Sequence, residues 1–395
     1  MGETIYLDNS ATTMVDEKVI EKMMPYMSEK YGNASSTHSL GVQAKHAIEE
    51  ARSTIAKSIN AEPSEIVFTS GGTESDNMAI KGVAFALKEK GNHIITTKIE
   101  HKAIINPCKW LQDTEGFKIT YLSVDREGFI NLEELESAIN DRTVLVSIIH
   151  GNNEIGTIQD LEAIGKICRK HGVYFHTDAC QSYAKTFLDV KKQNLDLVSL
   201  NAHKLNGPKG VGVLYIRKGT KITPLFHGGG HEFNLRSGTE NVPGIVGFAE
   251  AVKIAFDRKH VEKMIKLRDK LIEGVLSIEG SRLNGPKGVK RLCNNANFSF
   301  PGIEGESIGG YLDQKNIASS TGSACSEASL EPSYVLKAIG LTDVEANGSL
   351  RLTLSRFTTE MDINQLLYEL PGITNKLRKM SPLGRMFKNV LGNHN

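Results

Sequence analysis

Seven short apolar runs constrain this chain most: Ile66–Thr69, His93–Thr97, Lys118–Ser123, Val144–Ile149, Val173–Thr177, Leu195–Leu200 and Val211–Ile216. Each is too short for a buried helix and reads as a buried strand. Helical patterns separate most of them, notably Glu74–Glu89, Leu132–Ile139 and Asp160–His171. Strands alternating with helices predict an α/β fold with a largely parallel sheet. In such sheets ligands sit beyond the carboxyl ends of the strands.

The texture changes near Gly247. Long helical patterns over Gly247–Phe256 and Val261–Leu276 precede short strands at Asn297–Phe300 and Leu350–Leu354, and a helix over Thr359–Lys379. This predicts a large domain over 16–255, and a smaller α+β domain formed by 1–15 and 256–395. Two further helices are expected at Asp16–Met27 and Gln43–Ile59. The tail from Ser381 reads as frayed or as a docking peptide.

Composition narrows the function classes. A formal net charge of +1 gives no reason to expect nucleic acid or an anionic membrane as partner. No apolar run approaches the ~20 residues needed to cross a bilayer. The beginning, MGETIYLDNSATT, lacks the basic and apolar regions of a signal peptide. Five scattered cysteines argue against a disulfide framework and for a reducing cytoplasm.

The chemistry concentrates between His176 and Gly212. Asp178 closes one strand, and Lys204 follows the next, ahead of the turn Asn206-Gly207-Pro208-Lys209-Gly210. A lysine and an upstream aspartate in these places look like the two protein handles of pyridoxal phosphate (PLP), in which the amine bonds the cofactor and the acid pairs with its pyridine nitrogen. The bland alternatives are a solvated surface lysine and a turn-capping aspartate. Lys209 competes with Lys204 but lies inside the turn. The segment Thr69-Ser70-Gly71-Gly72-Thr73-Glu74 links a strand to a helix and suits a phosphate, with Gly72 and Thr73 at the helix start. It lacks both the nucleotide P-loop and the dinucleotide fingerprint. Its bland alternative is a helix cap.

Other candidates carry open alternatives. Gln181 or Asn153 suits a ring oxygen. His101 is either a ring-stacking residue or an ordinary loop histidine. Arg351 or Arg356 offers a bidentate partner for a substrate carboxylate. Cys325 sits in Ala318-Ser319-Ser320-Thr321-Gly322-Ser323-Ala324-Cys325-Ser326, where small residues leave a thiol reachable as a nucleophile. The other cysteines read as core, Cys180 least clearly. His227-Gly228-Gly229-Gly230-His231 is too flexible to predict a metal site.

At this point the chain resembles the cysteine desulfurases, class V members of the fold type I, aspartate aminotransferase-like PLP enzymes. The resemblance rests on YLDNSATT, GNASSTHSLG, TSGGTESDN, EHKAI, NNEIG, HTDACQ, AHKLNGPKGVG, HGGGHE with RSGTENV, and STGSACS, in order along the chain. It implies conversion of L-cysteine to L-alanine with a persulfide on Cys325, and sulfur delivery to an iron–sulfur scaffold or another acceptor protein. It implies that Lys204 bonds PLP and moves the substrate α-proton, that Asp178 pairs with the pyridine nitrogen, and that His101 stacks on the ring. Gly72, Thr73 and His203 then hold the phosphate, Asn153 and Gln181 the ring oxygen, and Arg351 the substrate carboxylate. A homodimer is implied, with Thr239 reaching the phosphate of its partner. No resident metal is expected; the only metal contact left open is a transient one between Cys325 and a cluster on a partner. Asn201 stands where the family commonly has a phosphate-binding serine, so altered phosphate contacts are expected there. Cys180 is also less usual. An aminotransferase or other PLP lyase needs Lys204 and Asp178 but not Cys325. A sulfur-delivery protein without chemistry needs none of them.

Overall fold

The computed structural model describes residues 4–321 and 331–381. Its main sheet has seven strands in the order Ile66–Thr69, Gly212–Ile216, Leu197–Asn201, Tyr174–Asp178, Thr143–Ser147, His93–Thr97, Lys118–Leu122. All run parallel except Gly212–Ile216, which is antiparallel to both neighbours. This is the expected α/β architecture. Five of the seven strands are buried along their whole length, as continuous apolar runs in a covered sheet must be.

Strand ends differ from the sequence pattern in an informative way. Asp178 and Asn201 are polar, so the apolar runs stop at Thr177 and Leu200. The ladder nevertheless includes both: Asp178 pairs with Ser199, and Asn201 with Gly212. Backbone pairing carries these side chains to the carboxyl ends of two central strands.

Helices cover both faces. Two apolar clusters flank the sheet, one joining Ile48, Phe175, Val198 and Phe248, the other Val67, Met78, Ile94 and Leu214. The predicted Asp16–Met27 helix is two, Glu17–Met23 and Pro25–Ser28, because Pro25 lacks the N–H that would continue the first. The helix Gly72–Ala86 starts two residues before its apolar pattern does. Lys102–Glu115 is helical despite Pro107 within it.

A separate apolar cluster joins Leu7 to Leu271, Phe298, Leu350, Leu366 and Leu377. It lies among the helices Arg258–Leu276 and Glu360–Met380 and a three-stranded antiparallel sheet of Arg282–Leu283, Asn295–Ser299 and Ser349–Thr353. The strand Ile5–Tyr6 pairs with Ile317–Ala318, tying the chain's beginning to this region. Short helices at Gly305–Asp313, Tyr334–Ala338 and Asp343–Asn347 go beyond the expected pattern. Among the described residues no helix is long and apolar enough to cross a membrane.

Candidate active site

The carboxyl ends of the parallel strands open onto a cavity of about 280 Å³. Its wall brings together Gly72, Thr73, His101, Asn153, Asp178, Gln181, Asn201, His203, Lys204 and Arg351. These residues span most of the sequence, so their convergence is a property of the fold. Thr239 is exposed and is not part of this wall. Cys325 lies outside the described residues.

The amine and the acid are held by local geometry. Lys204 Nζ donates to the carbonyls of Ser10 and, at 2.5 Å, of Ala11. The Ser10 carbonyl also accepts from Gln181 Nε2 at 2.8 Å. Asp178 is buried, and one carboxylate oxygen accepts from the Cys180 amide at 2.8 Å. The segment Ser10–Ala11 thus belongs to the site. The motif YLDNSATT contains it, but a backbone carbonyl leaves no residue-type signal.

The anion end is the start of Gly72–Ala86. Gly71 precedes it at φ 154°, ψ −177°, a conformation only glycine adopts readily. The first amides and the positive helix end then face the cavity at Gly72 and Thr73. Glu74 accepts from the Ser70 amide at 2.7 Å and from Arg236 at 2.8 Å. Burial works against ionisation of Glu74, but Arg236 and Ser70 outweigh it and hold the carboxyl below its usual range. The same pair anchors the loop that carries Thr239.

Cys180 and Asn201 meet at Gly72. A Cβ there would lie 2.7 Å from Cys180 Sγ and 3.5 Å from Asn201 Nδ2. Burial, then Asp178 and Asp76, push the Cys180 thiol well up. It is buried against the anion end, as the core reading of the other cysteines expected.

Asp76 is a site residue that sequence reasoning missed. It lines the cavity, is 1% exposed, and lies 3.8 Å from His176 Nε2. Burial, then the nearby Asp178, raise its carboxyl far above the ordinary range. His176 bridges Ser147 at 2.9 Å and Ser199 at 3.0 Å, and burial lowers it to about 3. Beneath the cavity, therefore, burial disfavours the charged forms of both Asp76 and His176. The available signal was spacing: Asp76 falls one helical turn after Gly72, on the same face.

His101 sits at a helix start with its ring on the cavity wall. Its Nδ1 accepts from the Ala103 amide at 3.2 Å, capping Lys102–Glu115, while the ring faces the cavity. His203 meets Thr12 Oγ1 at 3.1 Å, and burial, then Lys204, lower it to about 3. Arg351 donates to the Asn153 carbonyl at 3.1 Å and to Asp8 at 2.9 Å. Arg356 pairs with Asp16 and is not part of the cavity wall, so Arg351 is the arginine at this site.

The wall contains buried polar atoms that no described group satisfies: Ser10 Oγ, Gln181 Oε1, Asn201 Oδ1 and Arg351 Nε. Such atoms are rare unless a ligand completes them. An amine, a carboxylate, ring-oxygen donors and a helix N-terminus in one small cavity fit the aldehyde, pyridine nitrogen, hydroxyl and phosphate of PLP.

The aminotransferase class-V family model matches residues 5–366. The chain is 52% identical to cysteine desulfurase IscS of Methanosarcina thermophila over 386 residues, 97% of this chain and 95% of that protein. Among solved structures it is similar to a NifS-like protein, with a TM-score of 0.89 and 41% identity, covering 95% of this chain and all of that one (100%). It is also similar to SspA in complex with cysteine, with a TM-score of 0.81 and 39% identity, covering 90% of this chain and 100% of that one.

Proposed function

This chain belongs to the class-V aminotransferase family, among its cysteine desulfurases, and from that premise we propose how its own residues divide the work. The enzyme is PLP-dependent and converts L-cysteine to L-alanine. When bound, PLP supplies an electron sink for bonds at the substrate α-carbon.

Lys204 bonds the cofactor and later carries the α-proton. Asp178 keeps the pyridine nitrogen protonated. Gly72, Thr73, Asn201 and His203 hold the phosphate. His101 stacks on the ring, while Asn153 and Gln181 face its oxygen. Arg351 takes the substrate carboxylate in its planar fork. Cys325 attacks the substrate sulfur as a thiolate. A sulfur–sulfur bond forms and the substrate carbon–sulfur bond breaks. Its electron pair returns to carbon, Lys204 supplies the proton, and alanine leaves.

The persulfide then passes to an acceptor protein, for iron–sulfur cluster assembly and other sulfur transfer. Thr239, exposed on its own subunit, serves the phosphate of a second copy in a homodimer. Buried free thiols at Cys108, Cys168, Cys180 and Cys293 suit a cytoplasmic setting.

The carrying observation is the convergence of Lys204, Asp178, Arg351 and the helix start at Gly72 on one cavity. Two treatments of the purified holoenzyme test the reading. Borohydride should fix the cofactor to Lys204, and a colourless protein that gains no visible absorbance with added PLP sinks the cofactor assignment. Cys325→Ala should keep that absorbance and lose sulfide release from cysteine. Release that survives the change rules out the persulfide, and favours a PLP lyase of another kind.

A further inference from the structure

Cys325 stands between two described flanks, one fastened to the cavity wall at Arg351 and the other to Glu154, the residue after Asn153 of that wall. On the outgoing side, Ser320 and Arg351 exchange backbone hydrogen bonds at 3.3 and 2.7 Å. Arg351 also donates to Ser320 Oγ at 3.3 Å. On the returning side, Ser333 Oγ donates to Glu154 Oε2 at 2.5 Å. The same hydroxyl accepts from the Leu336 amide at 3.2 Å and so caps Tyr334–Ala338.

The returning helix rests on two loops that carry site residues. Tyr334 donates to the Glu100 carbonyl at 2.6 Å, next to His101. Val335 and Leu336 pack in one apolar cluster with Ile99 and Ile155. Glu154 itself lies between Asn153, at the cavity wall, and Ile155, in that cluster.

Glu154 and Ser333 are 4% and 5% exposed. A serine caps a helix without help from a carboxylate, and burying a carboxyl group is costly. The chemistry above makes no use of Glu154. Its position has a geometric consequence instead, since it ties the return of the chain to the residue after Asn153.

We propose that Glu154 is a positioning residue for the sulfur step: through Ser333 it fixes where the chain rejoins the cavity wall after Cys325, while Arg351 fixes where it leaves. The proposal rests on the reading of Cys325 as the nucleophile. Misplacing a reacting group by an ångström slows a step steeply, while leaving the binding of its partner intact. Glu154 therefore governs turnover and not cofactor or substrate affinity.

The test uses holoenzyme carrying Ser333→Ala, Glu154→Ala or Glu154→Gln, with Cys325→Ala as reference. The readouts are visible cofactor absorbance, KM and kcat for alanine formation, single-turnover persulfide on Cys325 by mass spectrometry, and amide exchange over residues 333–341. Ser333→Ala and Glu154→Ala should lower kcat and the persulfide rate about tenfold or more. KM should stay within about twofold, with absorbance unchanged and exchange faster at the returning helix. Glu154→Gln keeps an oxygen that accepts from Ser333, and should hold kcat within about threefold of the parent. Unchanged kcat in Ser333→Ala overturns the proposal, and so does an altered cofactor absorbance in Glu154→Ala. If Glu154→Ala does not fold, Ser333→Ala decides alone. Sulfide release surviving in Cys325→Ala overturns the underlying reading as well, and is told apart because both flanks of that variant are intact.

Discussion

Arg351 and Asp8 form an ion pair at 2.9 Å across the cavity wall, so the guanidinium offered to a substrate carboxylate is already held by a carboxylate of the chain. The other terminal nitrogen donates to the Asn153 carbonyl, and Nε is buried without a partner. The fork is aimed by its neighbours, with two N–H groups, on Nε and on the nitrogen facing Asn153, left for a ligand among the described residues.

Replacing that fork tests its role. Arg351→Lys keeps the charge but loses the planar donor set. One or two charge-assisted hydrogen bonds are worth about 1.5–3 kcal/mol each. KM for cysteine should therefore rise roughly ten- to a hundredfold, with cofactor absorbance retained. A steady-state titration with cysteine measures this, and an unchanged KM assigns the carboxylate to another group.

Stability should depend on pH through groups buried under the site. Burial raises Glu100 to about 8 and Glu154 to about 7 from the carboxyl value of 4.5. Between pH 4.5 and those values the folded chain binds more protons than the unfolded one, so stability falls as pH rises. Burial lowers His150 and His176 to about 3 from 6.5. Between those limits the unfolded chain binds more protons, so this contribution falls as pH drops. The two oppose each other up to pH 6.5; above it the carboxyl groups dominate until Lys185, which burial lowers to about 8, begins to oppose them. The melting midpoint should drop from pH 6.5 to 8, with a slope of at most about 1.4 kcal/mol per pH unit per group. Glu100→Gln should flatten that limb; a limb of equal slope in this variant shows that other groups set it.

A second buried pair supports the anion end from behind. Arg52 donates through both terminal nitrogens to Glu232 at 2.8 Å, and Glu232 also accepts from the Phe68 amide at 2.7 Å. Glu232, Phe233 and Asn234 all have positive φ, at 44°, 58° and 63°. The pair therefore holds a strained turn against the strand that leads into Gly71 and Gly72. Glu232→Gln removes the buried counter-charge of Arg52 and leaves it only the half-exposed Glu49 at 3.2 Å, at a cost of up to about 3–5 kcal/mol. Urea unfolding of the variant reads this directly, and a loss below about 1 kcal/mol contradicts it.

Strands, helices and the handles Asp178 and Lys204 were legible because each depends on local pattern: an apolar run, a polar stop, a glycine turn. Arg351 and Arg356 were equivalent in sequence, and only the fold turns Arg356 towards Asp16. Ser10 and Ala11 contribute carbonyl oxygens to Lys204 from far away in the chain, and a main-chain group has no residue-type signature. Asp76 looked like any acid in the first turns of a helix, where solvated carboxylates are common. Its burial against the sheet, not its identity, makes it part of the site. The helix Lys102–Glu115 drew no expectation from its sequence pattern, and it holds Pro107 in its second turn because tertiary packing supplies the stability.

The departures at Cys180 and Asn201 are most sharply tested through Gly72. Alanine is the better helix former, so Gly72→Ala raises no backbone objection. Its Cβ would sit 2.7 Å from Cys180 Sγ, a separation real carbons do not tolerate. The thiol has little room to yield, being buried with its sulfur 3.7 Å from the Ser199 carbonyl. Gly72→Ala should therefore displace the first turn or the thiol and weaken PLP binding about tenfold, read by titrating apoenzyme with the cofactor. Cys180→Ala removes the obstructing atom, so the double variant should bind PLP better than Gly72→Ala alone. The cycle should return a favourable coupling of about 1 kcal/mol or more between the two substitutions. A double variant as impaired as the single one places the defect elsewhere, in the fit of the phosphate against Asn201. Recovery instead makes Gly72 and Cys180 one packing unit, in which a glycine at the helix start leaves space for a thiol beyond the carboxyl end of a central strand.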